Sequence, residues 1–509
     1  MRPLLPLLLM LLALAGCGRE RADAPPPDTL VRLLDAEVRS LDPQKASDLA
    51  SLRVAADQFE GLTRLGADGR VEAGLARQWR PSADGLVWRF TLRPGLAFSD
   101  GQPITAAVFA RGFARLAEGA TGSPHKALFG PVAAVTATGD DVVTVRLNAP
   151  FPALPELMAH PAMAALPLHR GEGWAGERPL TASGAYRLTR WRLNDRLVLE
   201  RNPRWHDGAA PVGHVLWRPV DDRQTAFRLF RAGAAHTVPD FPVNRLDWLK
   251  RHRPNAVRMA PYRGSYYFVF NTRRPPFDDA RVRRALNMAT ERERIAGPLL
   301  GFGAPPAWGV VPPALSRCGT GYRPDWSGWP RARRLAAAQA LLRAAGYDGE
   351  RPLRFEIRFN SDVDHRRVAL ALIDGWRDLP VRASLLNTEA SLHFTSLRRG
   401  DFDLARSGWI GDLDAPENFL AIHLSNAGPA NYSGYASPAF DAALAAAMAT
   451  ADPIARAGAM ADAEAILMAD APVLPIHYYI SRNLVAETVA GWQDNVANVH
   501  PSRTLRLTR

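Results

Sequence analysis

The sequence predicts an α/β fold with more than one domain, on three observations. Strand-type and helix-type patterns are mixed along the whole chain instead of being segregated. The composition, 47% hydrophobic and 22% charged, is that of an ordinary globular protein. The length, 509 residues, exceeds what one hydrophobic core accommodates, so two or three domains are expected.

In chain order, the first element is a targeting segment. "MRPLLPLLLMLLALAGC" has one early cation, an apolar run from Leu7 to Ala15 and small residues before Cys17, the pattern of a secretory signal too short to span a membrane. The polar, proline-rich stretch 18–28 that follows suits a flexible tether. Asp68-Gly69, between "LTRL" and "RVEA", predicts a hairpin turn. In "VWRFTLRPG", Trp88, Phe90 and Leu92 alternate with Arg89, Thr91 and Arg93, which predicts a half-buried strand stopped by Pro94-Gly95. "RARRLAAAQALLRAAGY" carries apolar residues at helical spacing and stops at Gly346. In "SPAFDAALAAAM", Ser437 is the expected cap and Pro438 the first helical residue.

Charge and cysteine content exclude several classes. The formal net charge is +12, but the basic residues are scattered, with no long basic block or aromatic-interleaved stripe, so no nucleic-acid partner is expected. The chain has 2 cysteines, Cys17 and Cys318, so the fold does not depend on disulfides. A G-x-S-x-G elbow, an H-E-x-x-H pair, a P-loop and a complete G-x-G-x-x-G are all absent. His236, His365, His393, His423 and His477 stand singly, without metal-pair spacing, so neither a metal nor a cofactor is expected.

Several ordered segments carry a family resemblance. They are "SLDP" at 40–43, "FEGL" at 59–62, "LARQW" at 75–79, "DGLVWRFTLRPG" at 84–95 and "FSDGQPITA" at 98–106. "SGAYRLTRW" at 183–191, "LVLERNPRW" at 197–205, "FNTRRPPFDDARVRRALNMA" at 270–289 and "YSGYASPAFDAAL" at 432–444 continue the match. Together they resemble the extracytoplasmic solute-binding proteins of ABC importers, family 5. "GWIGDLDAP" at 408–416 and "PVLPIHYYIS" at 472–481 are most similar to the oligopeptide-binding group.

The resemblance implies a periplasmic binding protein type II-like fold of the three-domain, cluster C kind, with two lobes closing on ligand and an extra domain. It implies a first lobe from 29–50, 162–264 and 479–509, an extra domain over 51–161 and a second lobe over 265–478. "LAGC" resembles a lipobox, so 1–16 would be removed, and Cys17 lipidated and anchored at a membrane facing the periplasm or the cell surface. The expected activity is not enzymatic: a monomeric receptor captures extended peptides and delivers them to the transmembrane subunits of an ABC permease. A receptor of the same fold for dipeptides, cell-wall peptides, haem or a nickel chelate stands as the alternative.

Such a receptor must hold what all peptides share, the backbone and the two charged ends. By resemblance, Asp412 takes the α-ammonium, a buried cation that needs an opposite charge. Trp409 walls a pocket, Arg406 and His365 offer cationic partners to the ligand carboxylate, and Glu37 borders the cleft. Asp414, just before Ala415-Pro416, reads as a helix cap. A hydrolase using Asp412 and Asp414 as acid and base is the reading from another class. Two departures from the family pattern point to a wider or differently charged pocket: no lysine in 296–309, and Ala390 where a tryptophan wall is common.

Overall fold

A computed structural model describes residues 26–315 and 321–508. The signal, Cys17, most of the tether and Cys318 lie outside the described residues. The local expectations are met where they can be checked. Val87–Leu92 is a strand with Phe90 and Leu92 buried. Thr63–Leu65 pairs antiparallel with Val71–Ala73 around Gly69, whose φ of 76° is the left-handed turn conformation that glycine adopts without strain. Arg331–Ala344 is a helix that gives way to Gly346. The Ser437 side chain caps Pro438–Ala449 by accepting the Phe440 N–H at 3.3 Å.

A ten-stranded mixed sheet runs through the molecule. From edge to edge its strands are Val381–Thr388, Leu353–Asn360, Leu404–Ile410, Val257–Phe270, Val473–Val485, Thr237–Pro239, Thr29–Leu34, His214–Pro219, Arg196–Arg201 and Tyr186–Arg192. Two long central strands, Val257–Phe270 and Val473–Val485, cross from one half to the other as an antiparallel pair. Their pairing is interrupted between Pro261 and Ser265. Such an irregularity re-aims side chains, and Tyr262 and Arg263, which lie within it, face the main cavity.

Apolar burial divides the molecule into three regions. One core combines residues between Leu30 and Phe59, between Ala164 and Leu249, and from Leu484 to Leu505. A second is drawn wholly from residues between Tyr266 and Ile476. A third, over the antiparallel sheet of Ala76–Pro81, Val87–Leu92, Val142–Leu147 and Val132–Thr138, comes from residues between Leu62 and Ala165. Two distant residues, Leu413 and Ala415, join this third core. The loop that follows strand Leu404–Ile410 is therefore inserted into a domain far from it in sequence. No helix among the described residues is long and apolar enough to cross a membrane.

Candidate functional site

A cavity of about 480 Å³ lies where the three regions meet. Trp409 and Asp412 line it, together with Tyr262, Arg263, Glu156 and the strand Thr237–Pro239. A concave, largely preformed space is the usual form of a ligand site.

The loop 411–415 is held from two sides. The Gly411 N–H donates to the Arg263 carbonyl at 2.9 Å. A Cβ at Gly411 would come 2.7 Å from the Phe419 ring, so any side chain there would displace that ring. The Asp412 N–H donates to Asn418 Oδ1 at 2.9 Å, and the Asp412 carbonyl accepts from Arg263 Nη2 at 2.8 Å. The Asp414 N–H donates to Glu156 Oε2 at 2.7 Å, and the other Glu156 oxygen pairs with Arg263. These bonds aim the Asp412 side chain at the cavity while Leu413 and Ala415 are buried behind it.

The Asp412 carboxyl is poorly compensated. Burial raises its carboxyl pKa, while Arg263 and Asn418 pull the other way without cancelling the effect. Among the described residues, no Lys, Arg or His reaches it within 4.0 Å, as none of the ion pairs involves it. Trp409 Nε1 donates to the same Asn418 Oδ1, at 3.1 Å, which fixes the indole beside the carboxylate. Asp414 is exposed, and the helix it was expected to cap, Glu417–Leu420, has Pro416 at the cap position and no side-chain cap bond. An acid–base pair with Asp412 therefore finds no support in this geometry.

Arg406 and His365 are brought together, but away from the walls of that cavity. Arg406 Nη2 donates to Tyr479 Oη at 3.0 Å and Nη1 to Asn360 Oδ1 at 3.4 Å, and the guanidinium sits 4.9 Å from the Tyr266 ring centre. Its Nε has no partner, and no carboxylate lies within 4.0 Å among the described residues. Burial opposes its charge, but Tyr479, Tyr266 and Asp362 outweigh that and raise its pKa.

His365 departs from the cationic role that the resemblance implies. Burial, reinforced by repulsion from Arg406, pushes its imidazole down to about 3, against an opposing pull from Asp362. It is neutral at neutral pH, with Nδ1 3.2 Å from Tyr266 Oη. A row of rings connects the two clusters: Tyr479 is 6.2 Å from Tyr266 and 6.4 Å from Tyr262, which faces the cavity.

Glu37 stands apart from both clusters. Its carboxylate accepts from the Asn194 N–H at 2.9 Å and from Trp191 Nε1 at 3.4 Å, tying its own loop to a neighbouring hairpin. Of the two departures, the segment 296–309 rests on strand Val473–Val485 through the Ala307 N–H and Ile476 carbonyl, 3.0 Å. Ala390 opens the helix Ala390–Arg399, capped by Glu389.

The sequence reading missed Asn418, Arg263, Glu156 and Tyr479. No local motif marks them. It also missed a contact between the halves: Arg223 lies 2.7 Å from Asp240 on its own side and 3.6 Å from Asp362 on the other. Among the described residues, no group of three or more His, Cys, Asp or Glu could hold a metal ion.

The model of the family described as "Bacterial extracellular solute-binding proteins, family 5 Middle" matches residues 70–431. This chain belongs to solute-binding protein family 5. Its family 5 relatives match over nearly the whole length. The periplasmic oligopeptide-binding protein OppA of Salmonella typhimurium is 33% identical over 498 residues, covering 93% of this chain and 91% of the relative. The structure of the Escherichia coli murein tripeptide binding protein MppA superposes with a TM-score of 0.85 at 31% identity, over 94% of this chain and 98% of that one. Haemophilus influenzae OppA in complex with RPPGFSPFR gives 0.85 at 28% identity, over 95% of this chain and 99% of that one. MppA in its unliganded open form gives only 0.77 over the same 94% of this chain. The lobes of this family 5 protein therefore do not stand as in that open form, and the Arg223–Asp362 approach between the halves agrees.

Proposed function

We propose that this protein is the receptor of an ABC peptide importer. It captures extended peptides by their backbone and terminal charges and hands them to the membrane permease. The observation that carries this reading is Asp412: a carboxyl group that lines the cavity, is raised in pKa by burial and has no cationic group within 4.0 Å among the described residues. A peptide α-ammonium is the group that relieves that cost. Trp409 walls the pocket beside it. Arg406, half-buried and with no carboxylate within 4.0 Å among the described residues, receives the ligand carboxylate with Tyr479, and His365 contributes as a neutral hydrogen-bonding group. Glu37 supports its loop and does not touch ligand. Similarity to OppA and MppA supports the peptide class.

The same reading includes an extracytoplasmic monomer anchored through a lipidated Cys17. The division into lobes follows the residues expected from the family, with the first boundary moved to after Phe59, because Val54, Ala55 and Phe59 are buried with Leu30 and Leu34. Calorimetric titration of free-amine and N-acetylated forms of one peptide tests the central claim. Free-amine peptides are expected to bind and N-acetylated ones to lose about a hundredfold, the equivalent of about 3 kcal/mol; equal affinity would refute the ammonium site. The mass of the N-terminal fragment of membrane-extracted protein tests lipidation, an unmodified Cys17 being the contrary result.

A further inference from the structure

The cavity walls carry charge that the two ends of a peptide do not use. Four carboxylates line it, Asp57, Glu60, Glu156 and Asp412, and all but the last are engaged within the protein. Asp57 accepts from Trp217 Nε1 at 3.0 Å and from the Ser502 N–H and Oγ at 2.9 and 2.6 Å. Glu60 accepts from Trp205 Nε1 at 2.7 Å and meets Arg64 and His206 at 3.2 and 2.9 Å. Glu156 is taken by Arg263 and the Asp414 N–H.

Five arginines line the same space. Three are occupied: Arg64 by Glu60, Glu72 and Asp207, Arg263 by Glu156, and Arg503 by the Leu65 carbonyl and Glu72. The other two, Arg32 on strand Thr29–Leu34 and Arg53 on helix Leu49–Gln58, are under-compensated. Arg32 is 6% exposed and lies 4.2 Å from the Trp217 ring centre, which holds the guanidinium plane. Its Nη1 donates to Ser502 Oγ at 2.8 Å, and among the described residues its buried Nε finds no acceptor; Asp57, bonded to the same Ser502, offsets part of the cost of burying its charge. Arg53 reaches only Asp35, at 3.5 Å, in a pair whose carboxylate side chain is 46% exposed and which is correspondingly weak.

The two cations act on one neighbourhood. His500, also on the cavity wall, is driven well below its usual pKa by burial and then by Arg32, Arg53 and Arg258. The histidines His125 and His160 on the cavity wall are lowered too, each first by burial, so neither brings a compensating charge change at neutral pH. With Asp57 and Glu60 held by their own donors, Arg32 and Arg53 leave this side of the cavity with an excess of positive charge and an unused donor at Arg32 Nε.

We propose that Arg32 and Arg53 form a subsite for an acidic side chain of the bound peptide, so that this receptor selects peptides carrying glutamate or aspartate over those carrying lysine. The inference rests on the peptide reading above and adds which peptides are favoured. A carboxylate placed there completes the unused donor of Arg32 and gives Arg53 a partner shielded from water, whereas an ammonium meets two like charges.

The test is titration calorimetry on the whole protein with free-amine alanine tripeptides and tetrapeptides, each carrying one Glu, Gln or Lys after the first residue. At one position Glu is expected to bind about tenfold tighter than Gln, as a charge-assisted hydrogen bond contributes, with Lys weaker than both. R53Q should collapse the Glu-to-Gln ratio toward one, and so should R32Q. If R32Q does not fold, the partly exposed Arg53 carries the test alone, since a ratio measured on one variant cancels losses common to both peptides. Glu and Gln bound equally at every position, or a ratio unchanged in R53Q, overturns the subsite and leaves the peptide reading standing. If no peptide binds, both fall.

Discussion

Replacing Asp412 by asparagine keeps the size of the side chain and removes its charge, so it isolates the role proposed for the carboxylate. Removing one member of a desolvated ion pair costs about 3–5 kcal/mol. Asp412 is partly accessible from a cavity that opens to solvent, so the lower end applies, about 3 kcal/mol or roughly a hundredfold in Kd. For an N-acetylated peptide the wild-type carboxylate already faces a neutral amide, and D412N should cost it little. The assay is a double-mutant cycle by calorimetry, wild type and D412N against free-amine and acetylated forms of one peptide, with an expected coupling of about 3 kcal/mol. The ligand-free protein gives an independent sign. The folded-state pKa of Asp412 lies above its unfolded value, so ionisation weighs against the fold at neutral pH and ceases to do so in acid. D412N should therefore melt higher than wild type at pH 7 and lose that advantage as pH falls below the ordinary aspartate value of about 3.9. Equal losses of affinity for both peptides would refute the argument, whatever the melting data show.

Arg406→Gln should weaken peptides with a free carboxylate by about tenfold, the low end for charge-assisted hydrogen bonds, and leave C-amidated peptides nearly unaffected; parallel titrations decide it, and an equal effect on both would remove Arg406 from the carboxylate site. Glu464, 4% exposed, is pushed by burial up to about 7 even though it accepts the N–H groups of Val311 and Val310. Its folded pKa exceeds the unfolded value, so its contribution to stability declines as pH rises from about 4 to 7. E464Q should exceed wild type by about 3 kcal/mol at pH 8 and by nothing at pH 4 in denaturant titrations, and identical pH profiles would contradict the assignment. Small-angle scattering should find ligand-free D412N more compact than ligand-free wild type, because the variant no longer opposes closure; indistinguishable radii would count against that coupling.

What could be read from the sequence was what is decided within a few residues. The alternation in Val87–Leu92 and the Ser437-Pro438 start of a helix depend on neighbours along the chain, and both stand as expected. Asp412 and Trp409 were visible because a short motif carries them. The groups that aim them were not: Arg263 and Glu156 reach the loop across 149 and 258 residues of sequence. The neutrality of His365 likewise depends on burial and on Arg406, neither of which its own segment reveals. Asp414 looked like a cap because Asp-Ala-Pro is a common helix opening, but Pro416 took the cap position and the Asp414 N–H was bound by Glu156. The helix Leu49–Gln58 packs on the core around Leu30 and Leu34, because its apolar face, Ala50, Val54 and Ala55, is buried with them. That preference belongs to packing and is silent in the sequence.

On the peptide reading proposed above, the position of Asp412 gives a ligand a means of driving closure. A ligand shifts a conformational equilibrium only by its difference in affinity for the two states. The loop carrying Asp412 comes from the second lobe, yet Leu413 and Ala415 are buried in the core of the extra domain, and Glu156 of that domain binds Arg263 and the Asp414 N–H. On the peptide reading, bringing the lobes together takes this carboxylate out of water, which opposes closure. The opposition is largest with no cation present and falls when an ammonium arrives in the same space. On that same reading, this carboxylate makes the empty closed state costly and the filled one favourable, and so supplies part of the differential affinity that closure requires.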